Sequence, residues 1–206
     1  MAKTRTNTKT DAGDLAALIS RAQADRNAGK DGLPPVERWN PPYCGDIDME
    51  IRADGTWFYM GTPIGRPALV RLFSTVLRRD EDEKTYLVTP VEKIGIRVVD
   101  APFLAVEMTV SEESNEQVLT FRTNVGDVVR AGPDNPLRFV VTGEADQLKP
   151  YILVRGRLEA LVNRAVTYDL LALGEEIEID GEATYAIRSA GSVFPVMPMH
   201  RLEAGV

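Results

Sequence analysis

The stretch that decides the fold is GTWFYMGTPIGRPALVRLF, Gly55 to Phe73. An aromatic, β-type segment runs through two glycines into Pro67, which suits the first position of a helix. Apolar side chains then recur at helical spacing and predict one buried helix face over residues 67–78: Leu69, Leu72, Phe73, Val76 and Leu77. The stretch therefore predicts a strand, a turn and a helix that packs on a sheet.

The residues on either side of this stretch predict the rest of an antiparallel sheet. In DIDMEIR, residues 46–52, acidic and apolar side chains alternate, which is typical of a strand with one solvated face. The sequence ADG predicts a hairpin turn between this strand and TWFYM. Three apolar segments follow the helix, TYLVTP, EKIGIRVVD and FLAVEMTVS, so the predicted order is two strands, a helix and three strands.

The second half of the chain repeats this order. VLTFRTN and GDVVRA predict a separate hairpin before the repeat. PLRFVVTG and PYILVRG then predict two strands, residues 157–171 predict a helix, and three more strands are predicted after it. A shift of 92 positions aligns Tyr59 with Tyr151 and Thr75 with Thr167, which favours an internal duplication. We therefore predict an α+β fold of two tandem similar units, each a curved antiparallel sheet packed on one helix.

The predicted boundaries follow changes in composition. Residues 1–29 comprise a start predicted to be disordered and an amphipathic N-terminal helix over residues 14–27. Residues 30–111 are predicted as the first α+β unit with a proline-rich lead-in, and residues 112–206 as the second. The polar segment EESNEQ, which begins at residue 112, marks the predicted change from one unit to the other.

The composition narrows the classes of function. The 206 residues carry a net charge of −7, which disfavours generic binding to nucleic acid or to an anionic membrane. The sequence has no apolar run long enough to span a bilayer and lacks the pattern of a secretory signal, so we expect a cytoplasmic protein. The chain has a single cysteine, Cys44, so it cannot form an internal disulfide. It also has a single histidine, His200, which disfavours catalytic mechanisms that depend on histidine.

Four segments carry a resemblance to a known family. They are LPPVERWNPPYCGDIDMEIRADGTWFYMGTPIGRPALVRLFSTVLRRD, YLVTPVEKIGIRVVDAPF, LTFRTN and PYILVRGRLEALVNRAVTYDL. Together they resemble the proteobacterial family catalogued as domain of unknown function 1285, over about residues 30–196. The resemblance implies a duplicated core whose C-terminal unit is loosely pleckstrin-homology-like. It also implies a nucleotide-like ligand at the interface of the two domains and a role in signal transduction, without an established activity.

Candidate ligand-binding residues begin in the turn GTPIGRP. The free N–H groups and the dipole of a helix start favour an anion, Gly65 allows a backbone to approach closely, and Arg66 can bind a phosphate or carboxylate in bidentate fashion. Trp57, a few residues earlier, could stack on a base. A purely structural interpretation is also open, in which the glycine serves the turn, Arg66 pairs with an acid and Trp57 packs in the core.

Two further segments supply candidate ligand-binding residues. The polar residues at the bend in LVTPVEK, where binding residues are often found, are Thr89, Glu92 and Lys93. The corresponding residues of PYILVRGR, at the start of the second predicted helix, are Tyr151, Arg155 and Arg157. If the predicted duplication brings both helix starts to one cleft, their arginines form a site for an anionic ligand. The alternative is a surface turn and independently exposed arginines.

These features favour a cytoplasmic regulatory protein that binds an anionic, nucleotide-like small molecule and needs no cofactor. The alternative is a protein-interaction adaptor that uses the edge of a pleckstrin-like sheet. A third hypothesis is an enzyme that uses Asp46, Asp48 and Glu50 with a divalent cation, although such alternation is also typical of a solvated sheet face. A binding protein is favoured over an enzyme because the sequence shows no recognisable catalytic spacing.

Overall fold

The computed structural model describes residue 17, residues 32–142 and residues 147–203. The predicted disordered start and, apart from residue 17, the predicted N-terminal helix lie outside the described residues. Contacts divide the chain into two units. Unit 1 holds the described residues up to Glu50 together with Trp57–Arg97, and unit 2 holds Ile51–Thr56 together with the described residues from Val98 onward.

Unit 1 is built on a six-stranded sheet, sheet A. Its strands are β1 (Tyr43–Ile51), β2 (Trp57–Tyr59), β3 (Thr62–Pro63), β4 (Leu77–Arg79), β5 (Thr85–Val88) and β6 (Lys93–Val98). Their order across the sheet is β3-β2-β1-β6-β5-β4. β1 and β6 run parallel, as two backbone hydrogen bonds show. The N–H of Lys93 donates to the carbonyl of Pro42 where the two strands begin, and the N–H of Val99 donates to the carbonyl of Ile51 where the two strands end. The predicted first hairpin and the strands after the helix are confirmed.

The helix of unit 1, α1 (Pro67–Ser74), is shorter than the helix predicted over residues 67–78. It begins at a proline, as expected, because proline lacks only an N–H that the first turn does not use. It ends early because the hydroxyls of Ser74 and Thr75 donate to carbonyls of its last turn. Leu77, which was predicted on the buried face of the helix, lies in β4 instead and is 1% exposed.

Unit 2 contains a six-stranded sheet, sheet B, and a three-stranded sheet, sheet C. The strands of sheet B are β7 (Phe103–Glu113), β8 (Glu116–Thr123), β9 (Val128–Arg130), β10 (Leu137–Thr142), β11 (Gln147–Arg155) and β12 (Leu158–Val162). Those of sheet C are β13 (Glu175–Ile179), β14 (Glu182–Ser189) and β15 (Ser192–Pro198). The order in sheet B is β10-β11-β12-β7-β8-β9, and the helices are α2 (Arg164–Leu171) and α3 (Met199–Glu203).

Sheets A and B share one strand order. In each, two three-stranded meanders are joined by a parallel pair, β6 with β1 in sheet A and β12 with β7 in sheet B. Corresponding strands begin 59 to 66 positions apart, for example at residues 43 and 103 and at residues 77 and 137, so the predicted register of 92 is wrong. The helices do not correspond, since α1 lies within the first set of six strands and α2 follows the second. The predicted two-domain α+β class is confirmed, but the prediction of purely antiparallel sheets is wrong, because the central pair of each six-stranded sheet runs parallel.

The second predicted helix, residues 157–171, is wrong in its first half. Leu158–Val162 forms β12, in which every second side chain is buried. The helix begins only at Arg164, because the side chain of Asn163 accepts a hydrogen bond of 2.8 Å from the N–H of Val166 and so caps the first turn. The apolar residues of this segment fit both a period of two and a period of 3.6, and pairing with β7 and β11 selects the strand.

The division of the chain differs from the predicted one. The predicted boundary after residue 111 falls inside the hairpin of β7 and β8, which turns through Ser114 and Asn115, both with positive φ. The structure instead begins the long C-terminal part of unit 2 at Val98. Unit 2 also includes the turn at residues 51–56, where Asn124 donates to the carbonyl of Gly55. Gly55 has φ +80° and no room for a Cβ against Asn124, so this turn requires glycine.

None of the helices among the described residues is long and apolar enough to cross a membrane.

Candidate functional site

The predicted anion site lies where α1 begins. Arg66 precedes the helix in extended conformation, with φ −106° and ψ 102°, and its carbonyl accepts hydrogen bonds from Leu69 and Val70. The N–H of Ile64 donates to the carbonyl of Trp57 at 2.8 Å, which holds the preceding turn against β2. No side chain of the described residues caps the helix start. The first-turn N–H of Ala68 has no acceptor among the described residues, so it is available to an external anion.

Arg66 itself is exposed, and the structure gives its guanidinium no ion-pair or hydrogen-bond partner within the described part of the chain. Gly65 is also exposed, lies outside the positive-φ region, and would place an added Cβ in open space. The fold therefore does not require glycine at residue 65, unlike residue 55. Within the described part of the chain Arg66 is not paired with an acid, and an added Cβ at residue 65 would meet no atom within 4 Å.

Trp57 does not belong to the open part of this turn. Its side chain is 1% exposed and stacks on Phe73 of α1, with ring centroids 6.3 Å apart and an interplanar angle of 15°. Its Nε1 is buried and has no hydrogen-bond acceptor in the described structure. The predicted role of Trp57 as a base-stacking platform is therefore replaced by a role in the core, where it joins β2 to α1.

The second predicted group forms a compact turn between β5 and β6. The buried Thr89 hydroxyl accepts hydrogen bonds from the N–H groups of Val91 and Glu92, at 3.4 and 3.2 Å. The N–H of Thr89 donates to the carbonyl of Glu92 at 2.9 Å, which closes the turn. Oε1 of Glu92 is buried without a hydrogen-bond partner among the described residues. Thr89 therefore has a structural role, and Glu92 retains one carboxylate oxygen that the described residues do not satisfy.

Lys93 is occupied by internal contacts. Its Nζ lies 2.9 Å from Oδ2 of Asp80 and 4.4 Å from the centre of the Tyr86 ring. Asp80 also accepts from Arg78 at 2.6 Å. Arg78 is 7% exposed and donates to the carbonyls of Val36 and Trp39, at 2.8 and 2.7 Å. We call Arg78, Asp80 and Lys93 the Asp80 cluster. Local sequence did not predict it, because Lys93 lies 13 positions from Asp80 and the carbonyls that Arg78 binds lie 42 and 39 positions away.

The electrostatics of the Asp80 cluster favour the charged carboxylate. Burial alone would raise the pKa of Asp80, but hydrogen bonds and charge from Arg78 and Lys93 outweigh it and hold the pKa below its ordinary value of 3.8. A carboxylate whose pKa is lowered by folding stabilises the native state above its unfolded pKa. That stability is lost as the pH falls through the lower folded pKa.

Acidification should therefore destabilise unit 1 through Asp80. We expect the urea midpoint of the native protein to fall as the pH drops below about 4, and to fall less steeply in Asp80→Asn, which cannot lose that charge. Equilibrium unfolding at a series of pH values, followed by tryptophan fluorescence, checks this. Equal slopes for the two proteins would show that Asp80 does not contribute to the pH dependence.

Two of the acidic side chains of β1, Asp46 and Glu50, also have interaction partners within the structure. Asp46 accepts a hydrogen bond of 2.9 Å from the Tyr43 hydroxyl, and its carboxylate lies over Gly95, where no side chain would fit. Glu50 lies 3.2 Å from the guanidinium of Arg97. Among residues 32–142 and 147–203 no group of three or more His, Cys, Asp or Glu side chains could hold a metal ion. The structure therefore offers no geometric support for the predicted alternative in which Asp46, Asp48 and Glu50 bind a cation.

In unit 2, Tyr151 is part of a polar network rather than an open site. It is 8% exposed, and its hydroxyl donates to Oδ1 of Asp100 at 2.7 Å. Burial first, and then this hydrogen bond, raise the pKa of Tyr151. Lys149 binds the other oxygen of Asp100 at 2.7 Å, while Arg138 covers the Tyr151 ring and binds Glu159 with two nitrogens. The network joins β10, β11 and β12 to the segment before β7.

Arg155 and Arg157 do not flank a helix start. Arg155 lies 2.6 Å from Asp127 and its guanidinium covers the Phe103 ring at 4.7 Å. Arg157 lies in the turn that leads into β12, and it too has interactions of its own. The prediction of a second arginine-flanked helix start is wrong because this segment continues as a strand. Arg66 belongs to unit 1 and Arg155 to unit 2, and their convergence on one cleft stays a prediction.

Comparisons with known proteins agree with the division of the chain. The models for "Domain of unknown function (DUF1285), N-terminal domain" and "Protein of unknown function (DUF1285), C-terminal domain" match residues 34–101 and 102–196. The crystal structure of a DUF1285 family protein from Silicibacter pomeroyi DSS-3 has a TM-score of 0.78 and 50% identity, over 90% of this chain and 97% of that one. One from Shewanella baltica OS155 has a TM-score of 0.48 and 26% identity, over 60% and 90%. No curated protein matches.

Proposed function

This chain belongs to the DUF1285 family, a family of unknown function, and on that premise we propose that it binds a small anionic molecule at the start of α1. The observation that carries the proposal is the state of Arg66, which is exposed and has no partner among the described residues. Two other basic residues predicted to bind the ligand, Lys93 and Arg155, form ion pairs with Asp80 and Asp127 respectively. Their charge is already neutralised, whereas that of Arg66 is available.

The groups at the α1 start suit a phosphate or a carboxylate. The N-terminal end of the helix carries partial positive charge, and the N–H of Ala68 donates to no acceptor among the described residues. A guanidinium can bind two oxygens of the same anion in parallel, so Arg66 adds both charge and orientation. Gly65 leaves room for the ligand beside the backbone. A nucleotide-like anion therefore fits this proposal through its phosphate, without stacking on the buried Trp57.

A regulatory role in signalling is part of the proposal. An exposed arginine at a helix start binds an anion reversibly through charge and hydrogen bonds, which is what a sensor of a soluble anion requires. The pleckstrin-like character of the second unit likewise remains a proposal.

Ligand-induced stabilisation tests the site directly. We expect at least one member of a panel of inorganic phosphate, nucleotides, cyclic nucleotides and citrate to raise the melting temperature in a dose-dependent way. Saturation at about 100 times Kd corresponds to roughly 2.7 kcal/mol, which is several degrees for a chain of this size. Arg66→Ala should abolish the shift, because it removes the only charged side chain assigned to the site.

Two matched variants separate binding from folding. Arg71→Ala removes the same charge from the last turn of the same helix and should keep the ligand-induced shift. Gly65→Ala should leave the unliganded melting temperature nearly unchanged, since an added Cβ meets no atom within 4 Å, but should weaken binding by obstructing the approach of the ligand to the backbone. A shift that survives in Arg66→Ala, or the absence of a shift across the whole panel, would contradict the proposal.

A further inference from the structure

The outer edge of sheet C is open. β13 pairs with β14 on one side only, because the order of this sheet is β13-β14-β15. No backbone hydrogen bond from any other described residue reaches its other side. Its five residues are exposed or half-exposed. An edge strand of this kind presents a row of unpaired N–H and C=O groups to any extended chain that can approach it.

The charge along this edge is strongly negative and only partly compensated. Glu175 pairs with Arg188 of β14. Glu176 and Glu178, which share one face of β13, and Asp180 in the following turn are exposed and have no ion-pair partner within the described part of the chain. Three uncompensated carboxylates therefore line a strand whose backbone is free to pair.

This charge decides which occupant the edge can accept. Pairing with β13 of a second copy would set glutamates against glutamates, and like charges directly opposite each other destabilise a strand pair. An extended segment with Lys or Arg at alternate positions would place its cations on the same face as Glu176 and Glu178. We propose that the β13 edge binds a basic, extended peptide segment of a partner protein by β-strand addition.

The geometry sets the length and pattern of the peptide. Five residues of β13 span about 17 Å, which is enough for a peptide strand of five or six residues. The half-buried Ile177 and Ile179 lie on the face opposite Glu176 and Glu178. Apolar residues between the cations would extend that face. The inference does not depend on the proposed anion site, because β13 belongs to unit 2 and α1 to unit 1.

Fluorescence anisotropy with a labelled peptide, Gly-Lys-Val-Lys-Val-Lys-Gly, tests the proposal. We expect saturable binding to the full chain and about tenfold weaker binding to the double variant Glu176→Gln with Glu178→Gln, from two cross-strand charge pairs. The double variant Glu112→Gln with Glu116→Gln removes two exposed carboxylates from the β7–β8 hairpin and should bind like the native protein.

A backbone-modified peptide distinguishes strand addition from attraction by charge alone. The same sequence with an N-methyl group at every internal peptide bond keeps every charge but has no internal N–H to donate from either edge, so its binding should be lost. Equal affinity of the two peptides, equal affinity of the two double variants, or no saturable binding at all would overturn the proposal. The glutamates would then serve only to prevent edge-to-edge association.

Discussion

Replacing Arg78 by alanine should destabilise unit 1 by about 3 kcal/mol or more. The side chain of Arg78 is 9% exposed, and its guanidinium binds Asp80 with two nitrogens. It also donates to the carbonyls of Val36 and Trp39, which lie 42 and 39 positions away along the chain. Its removal would leave two carbonyls without their donor and Asp80 with Lys93 alone, and groups left unpaired account for most of such a loss.

Urea unfolding followed by tryptophan fluorescence measures this loss of stability in unit 1. Both tryptophans of the chain, Trp39 and Trp57, belong to unit 1. Arg79→Ala is the matched control, because it removes the same charge from the next residue, whose Nε makes one bond of 3.2 Å to the carbonyl of Glu83. We expect the control to lose less than about 1 kcal/mol. Similar losses for the two variants would show that the buried contacts of Arg78 add no stability.

Replacing Phe73 by alanine should destabilise unit 1 by about 3–5 kcal/mol, the usual range for a buried phenylalanine. Phe73 is 0% exposed and stacks on Trp57 of β2, so its removal opens a cavity between α1 and sheet A. The loss bears on the proposed anion site because Arg66, Gly65 and Ala68 are positioned only as long as α1 lies on the sheet. We therefore expect Phe73→Ala to weaken anion binding as well as folding.

The same urea titration, with a ligand titration at low temperature, tests this second expectation. Leu69→Ala truncates a half-exposed side chain of the same helix and should destabilise the protein by only about 1 kcal/mol. It should leave the affinity for the anion close to that of the native protein. An anion affinity that is unchanged in folded Phe73→Ala would show that the site does not depend on the packing of α1.

Much of the sheet could be predicted from local sequence. The alternation in DIDMEIR, the ADG turn and the apolar segments after α1 each specify a strand over a few neighbouring residues, and the structure has those strands. Pro67 likewise specifies where α1 begins. Local pattern could not specify residues 158–162, because Leu, Ala and Val there fit a helix face as well as a strand. The parallel partner β7, more than fifty residues away, decided between them.

The candidate site, like the sheet, could be predicted from the sequence only in part. The sequence by itself determined that an arginine, a glycine and a proline stand at the start of a helix, because those features are contiguous. Only the tertiary structure decided which basic side chains are free, because ion pairs join distant residues: Lys93 to Asp80 across 13 positions and Arg155 to Asp127 across 28. Arg66 is exposed and has no such partner among the described residues, and Trp57 is buried, because chain topology fixes burial and pairing while residue type does not.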